Sequence, residues 1–188
     1  MSVEKLISPR QFAALVQLCD GGFMAWRARG AEWFRHLGPD AGRAMSSWNT
    51  RHAGKPAFAH RAGNGYLHGS LLNQKLLAHR AVWCLATGRW PNATIDHING
   101  NRTDNRISNL RDVDHVQNCR NQPLSRGNTS GFTGVSFDAN RNKYAAHITV
   151  GGRTLHLGRY DTLAEARIAR QQANTKYEFH ANHGRIAA

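Results

Sequence analysis

A chain of 188 residues with 40% hydrophobic content has room for one large domain or two small ones, each around a short packed core. Its 25 Lys and Arg against 12 Asp and Glu leave a net charge of +13. The excess is evenly spread, with 8 basic and 4 acidic groups in residues 1–60, 9 and 4 in 61–127, and 8 and 4 in 128–188. This excludes a basic tail on a neutral body and favours a polyanion followed along the whole chain, because each cation near a phosphate releases condensed counterions. A membrane surface would require an amphipathic basic helix or an anchor, and neither is present. Cys19, Cys84 and Cys119 lie far apart with no C-x-x-C pair, which argues against a disulfide framework or a zinc ribbon. With no signal peptide and no apolar run of spanning length, the expected location is a reducing cytoplasm.

In chain order, Ser8-Pro9 followed by Gln11, Phe12, Leu15, Val16 and Leu18 predicts an N-capped amphipathic helix ending at Asp20-Gly21-Gly22. Phe23–Trp26 reads as a short strand. Residues 28–57 are Gly-rich and weakly periodic, although Trp26, Arg27, Arg29, Trp33, Phe34 and Arg35 interleave aromatics with arginines. Two hairpin strands follow, Tyr66–Leu71 and Lys75–Ala78, joined at Asn73-Gln74. A helix is predicted over His79–Ala86, closing at Thr87-Gly88.

The densest polar chemistry lies in residues 94–121. Thr94–Asn101 reads as a strand running into a polar turn, with Asp96 beside His97 at the strand end. A carboxylate there suits a hard cation, and an imidazole with a pKa near neutrality suits proton removal from water. Asn105–Arg111 forms a loop leading into a second strand. Asp114 with Gln117 resembles a capping box, so a helix is predicted from His115, with Asn118 on its first turn and Asn121 one turn later.

These residues resemble the phage homing endonucleases of the HNH type, in the variant with Asn at the last position. The resemblance rests on Ile95-Asp96-His97-Ile98-Asn99-Gly100, Asn105-Arg106-Ile107-Ser108-Asn109-Leu110-Arg111, Gln117-Asn118 and Asn121, with His79-Arg80-Ala81-Val82-Trp83 as the preceding helix. It implies a ββα-metal core within residues 58–122, with one Mg²⁺ or Mn²⁺ per site. Asp96 and Asn118 would be its ligands, His97 the general base and Asn109 a loop brace. His79 is expected to support the site structurally. Arg102, Arg106, Arg111, Arg120 and Asn121 are candidate contacts to double-stranded DNA.

Residues 123–130 are small and polar and read as a linker. Beyond it, strands are predicted at Thr133–Asp138, Lys143–Val150 and Arg153–Tyr160, with a turn at Gly151-Gly152. A helix from Thr162 carries Leu163, Ala166, Ile168, Ala169 and Ala173 on its apolar side. Residues 131–182 resemble the AP2 domain, on Gly131–Val135, Lys143–Ile148, Leu155–Tyr160 and Thr162–Ala166. Alternation turns Val135, Phe137, Tyr144, Ala146, Ile148, Leu155 and Leu157 toward the helix, and Ser136, Asp138, Lys143, His147, Thr149, Thr154 and His156 outward. Plant AP2 domains carry arginines and tryptophans on that outer face, so phosphate contact through Lys143, His147, Thr149 and His156 is expected here rather than base readout.

The expected architecture is therefore α+β. Residues 1–57 form an N-terminal helix and extension, 58–122 the nuclease core with its preceding hairpins, and 131–182 a small three-stranded antiparallel sheet packed on one helix. The expected function is metal-dependent DNA cleavage by a monomer of homing or host-interference type, with one site that nicks one strand. Two rivals are a non-catalytic AP2-type regulator and an RNA- or structure-directed nuclease.

Overall fold

The computed structural model describes residues 2, 4, 7–114, 118, 124–125, 127–179 and 183–184. The chain divides into two compact units, Met1–Val113 and Asp114–Ala188.

In the first unit, helix α1 (Pro9–Leu15) starts on a complete capping box: Ser8 Oγ accepts from the Gln11 amide, and the Gln11 side chain accepts from the Ser8 amide. The helix ends earlier than the periodicity predicts. Val16–Leu18 leaves it as strand β1, because its backbone pairs antiparallel with β2 (Met24–Trp26) around the Asp20–Gly22 turn. Residues that read as weakly periodic fold as a 3-10 segment, Ala31–Asp40, and helix α2, Ala41–His52. There the Arg29 guanidinium lies 3.9 Å from the Trp48 ring centre, so one aromatic–arginine pair serves packing.

Strands β3 (His60–Arg61), β4 (Leu67–Leu71) and β5 (Gln74–Leu77) form an antiparallel sheet in that order. The β4–β5 turn falls at Leu72 and Asn73, both with positive φ, one residue before the predicted Asn73-Gln74. Helix α3 (Ala78–Thr87) follows at once and stops at Gly88, whose φ of 72° and N–H bond to the Cys84 carbonyl make a left-handed cap. A separate antiparallel pair joins β6 (Thr94–His97) to β7 (Leu110–Val113).

One core joins α1, β1, β2, β4, β5, α3, β6 and β7. Phe12, Leu15, Val16 and Met24 share it with Phe58, Ala81, Val82, Ile95 and Leu110, so the first 57 residues build the same core as the strand carrying Asp96. The Trp90 indole N–H donates to the Ile7 carbonyl at 3.0 Å and closes the packing around Phe12.

In the second unit, β8 (Val135–Asp138), β9 (Lys143–Val150) and β10 (Arg153–Tyr160) form a three-stranded antiparallel sheet with β9 central. Helix α4 (Leu163–Lys176), capped by Thr162 and Glu165, packs on all three strands. Val135, Ala146 and Ala166 form the buried centre, with Tyr144, Leu157, Tyr160 and Leu163 around it. Three apolar residues assigned to this interface are instead exposed: Phe137 at 49%, Leu155 at 39% and Ile168 at 54%. The alternation in β10 is broken by a bulge between His156 and Gly158, which inserts Leu157 between the regular pairs. Asn128 and Ser130 are tied to the unit through bonds to the Phe132 and Val135 carbonyls, so the polar segment before the sheet is partly built into it.

Candidate active site

Strand β6 ends with two buried polar residues, Asp96 and His97. Its start is fixed by Asp112 of β7, whose carboxylate accepts from the Asn92 and Ala93 amides at 2.8 and 2.9 Å. In the β6–β7 register Asp96 lies opposite Arg111 and His97 opposite Leu110. Both Nε and Nη2 of Arg111 donate to Asp96 Oδ2, at 2.9 and 2.7 Å.

The loop between the strands is organised by Asn109. Its side-chain oxygen accepts from the Asn99 amide, its NH₂ donates to the Asp104 carbonyl, and its backbone carbonyl accepts from the Ile98 amide. Asn99 donates in turn to Asp104, and Arg106 closes on both carboxylate oxygens of Asp104 at 2.8 and 2.7 Å. That guanidinium holds the Asp104 carboxyl at a pKa of about 2, below its ordinary 3.8, so the loop is tied by a fixed negative charge.

This loop delivers a buried Asn105 to the imidazole. His97 Nε2 lies 3.0 Å from Asn105 Oδ1, and with that carbonyl oxygen as acceptor the pair calls for the tautomer that has its proton on Nε2. The neutral ring then has its basic lone pair at Nδ1. Burial lowers the His97 pKa, a shift only partly opposed by the Asn105 bond and the carboxylates of Asp96 and Asp104. Two rings pack around it. His79, near the start of α3, stands at 90° with centroids 5.2 Å apart, and Tyr66 lies at 5.8 Å. His79 is itself buried and its pKa is pushed down to about 3, first by desolvation and then by the neighbouring His97 and Arg80 charges. Burial thus disfavours the charged form of both rings.

Of the residues singled out in the sequence, Asp96, His97, Asn109, His79 and Arg111 come together here. Arg102 donates to the Asn64 carbonyl and lies 5.0 Å from the Tyr66 ring centre, while Arg106 serves Asp104. These arginines thus have intramolecular partners besides any phosphate. Asn118 is helical, and its amide donates to the Asp114 carbonyl at 3.0 Å. His115, Gln117, Cys119, Arg120 and Asn121 lie outside the described residues.

Sequence reasoning did not single out Asn105 or Tyr66. Asn105 stands in an Asn-rich stretch with Asn99, Asn101 and Asn109, and spacing alone does not say which amide meets the imidazole. Tyr66 sits beside a Gly-Asn-Gly turn some 30 residues earlier, where a hairpin strand gives it an ordinary reading.

Among the described residues no group of three or more His, Cys, Asp or Glu side chains is placed to hold a metal ion. The Asp96 carboxylate is a hard oxygen donor of the kind that divalent cations such as Mg²⁺ take.

In the second unit the outer sheet face carries Lys143, His147, Thr149, Thr154 and His156 in the expected alternation. His147 pairs across the ladder with His156, and Thr149 Oγ lies 3.0 Å from Thr154 Oγ. Lys143 Nζ is 2.9 Å from Asp161.

Protein 3.8 of Escherichia phage T7 is 34% identical over 76 residues, which cover 40% of this chain and 63% of that protein. The matched segment thus spans less than two thirds of that relative's length. No solved structure matches the chain. Residues 76–120, from β5 through both strands of the Asp96–His97 hairpin to the segment holding Asn118, match the family model of the HNH endonucleases.

Proposed function

We propose that this protein is a divalent-metal-dependent DNA endonuclease in which His97 is the general base. One observation carries this reading: a buried imidazole whose Nε2 lies 3.0 Å from Asn105 Oδ1, beside a buried carboxylate on the same strand. The family match over residues 76–120 supports nuclease chemistry at this place.

Each residue then has a role set by its chemistry. His97 Nδ1 takes the proton from the water that attacks phosphorus, and desolvation keeps the ring in the form that can accept it. Asn105 holds the ring orientation and tautomer. Asp96 and Asn118 would hold the cation, Mg²⁺ or Mn²⁺, which when bound supplies Lewis-acid stabilisation of the phosphate oxygens and of the leaving 3′ oxygen. Arg111 neutralises Asp96, and Asn109 keeps the intervening loop closed around Asn105.

A single site fits a monomer that nicks one strand, in a homing or host-interference setting. The second unit is proposed as an AP2-like DNA-binding domain whose outer face, with Lys143, His147, Thr149 and His156, meets phosphates. The net charge of +13 supports a nucleic-acid substrate for the whole chain.

The test is incubation of the full chain with supercoiled plasmid and with phage DNA, in Mg²⁺, in Mn²⁺ and in EDTA, followed by end mapping. Nicked circles with 3′-hydroxyl and 5′-phosphate ends, formed with metal and absent in EDTA, are expected. Cleavage unaffected by EDTA, or cleavage of RNA in preference to DNA, contradicts the proposal.

A further inference from the structure

Asn105 is held from a part of the chain that lies far outside the segment matching the family model. The Asp20–Gly22 turn that joins β1 to β2 rests on the backbone of the Asn105–Arg106 peptide. A Cβ built on Gly22 would lie 2.4 Å from the Asn105 carbonyl carbon, 2.5 Å from its oxygen and 2.5 Å from the Arg106 nitrogen. Backbone on backbone leaves no flexible side chain to give way. Gly22 also has φ +78°, which an L side chain rarely adopts. The neighbouring Gly21 has nearly the same φ, +72°, yet a Cβ there would meet only the Phe23 ring, at 3.3 Å.

The next contact inward is the bond between Asn105 Oδ1 and His97 Nε2 at 3.0 Å. Asn105 is 3% exposed and His97 3%, so a shift of this peptide has little solvent to take over the bond. We infer that the β1–β2 turn, through Gly22, is a positioning element for the reaction: it seats the Asn105 peptide, and Asn105 in turn fixes the His97 tautomer. This rests on the reading of His97 as the general base. The turn gives residues 16–26 a role beyond core packing, and it makes Gly22 and Asn105 positioning residues that touch neither substrate nor metal.

The tautomer can be read without any activity. Long-range ¹H–¹⁵N correlation spectra of the full chain separate the Nε2–H from the Nδ1–H form, and the His97 signal is assigned by its absence from His97→Ala. The wild type is expected to hold the Nε2–H form. Asn105→Ala should give a mixture of tautomers and lower kcat by about 10-fold or more, with KM and DNA affinity little changed, since an imidazole in the wrong tautomer cannot serve as base. Asn105→Asp retains an acceptor and should restore the Nε2–H form. Gly22→Ala should resemble Asn105→Ala, while Gly21→Ala, equally strained but clear of the Asn105 peptide, should keep the wild-type tautomer and kcat. A role in turn stability alone would affect both glycine variants alike.

Wild-type spectra and kcat in Asn105→Ala, or in a folded Gly22→Ala, overturn the inference. Should Gly22→Ala not fold, the Asn105 pair still decides whether this peptide sets the tautomer. If His97→Ala cleaves as the wild type does, the general-base reading fails, and the spectra still decide whether the turn sets the ring.

Discussion

Arg111 sits across the ladder from Asp96 and closes two nitrogens on one carboxylate oxygen, Oδ2, at 2.9 and 2.7 Å. The Asp96 side chain is 10% exposed and that of Arg111 29%, so the pair is largely shielded from water. A guanidinium here holds negative charge in place where a cation is proposed to bind. The two compete for the same carboxylate.

Arg111→Met is therefore expected to lower unfolding free energy in EDTA by about 1–3 kcal/mol, the typical cost of losing hydrogen bonds to a charged group. Added Mg²⁺ should recover more stability in the variant than in the wild type, because a cation bound only to the native state stabilises by mass action. Urea unfolding with and without Mg²⁺ measures both. An equal Mg²⁺ effect in the two proteins places the cation away from Asp96.

His79 gives a pH dependence of stability. Its folded pKa of about 3 lies below its ordinary 6.5, so the unfolded chain binds a proton that the folded ring refuses. The contribution is fully present above pH 6.5 and is lost as pH falls from there toward 3. His97, whose pKa is also lowered by burial, acts in the same direction. His79→Phe keeps a ring against His97 and Tyr66 and removes a buried Nδ1 that has no partner among the described residues. Urea midpoints between pH 7.5 and 5 should fall less steeply in the variant than in the wild type. Parallel slopes would mean that His79 is protonated in the folded protein.

Ending the chain at residue 127 removes 8 basic and 4 acidic residues together with the whole β8–β10 sheet and α4. If the outer sheet face touches phosphates, affinity for DNA should drop and the dependence of log K on log salt should become shallower. Fluorescence anisotropy over a salt series reads both. Cleavage at saturating enzyme should persist, since Asp96, His97 and Asn118 are all retained. An unchanged salt slope removes the second unit from the DNA interface.

Patterns confined to a few residues were legible in advance. The Ser8 cap, the β4–β5 hairpin, the Gly88 stop, the Asp96–His97 strand end and the three C-terminal strands each follow from local spacing, turn chemistry or alternation. Relationships set by tertiary packing were not. The helix expected to run on to Leu18 breaks because Val16–Leu18 gains a strand partner, Met24–Trp26, later in the chain, a competition that helical periodicity does not record. Residues 31–52 read as Gly-rich and weakly periodic, yet they fold as a 3-10 segment with Phe34 buried and a helix whose Trp48 stacks on Arg29. Ile168 matched the apolar face of its helix by spacing but is exposed, while Arg170 is buried on that helix in a way no apolar pattern reveals. At the site, the Asp-His pair and the Asn109 brace were readable as a motif. The contacts of Asn105 and Tyr66 with the imidazole, and of Gly22 with the Asn105–Arg106 peptide, were not, because tertiary packing rather than local spacing makes them.

The general-base role of His97 is tested most directly by comparing DNA binding and single-turnover cleavage in the wild type and His97→Ala, in the same Mg²⁺ buffer. Cleavage should fall by about 100-fold or more, the usual contribution of a positioned base. Affinity should stay within about 3-fold, because distributed phosphate contacts rather than one buried neutral ring carry the binding. A variant that cleaves at the wild-type rate, or that loses binding in step with cleavage, would contradict the assignment.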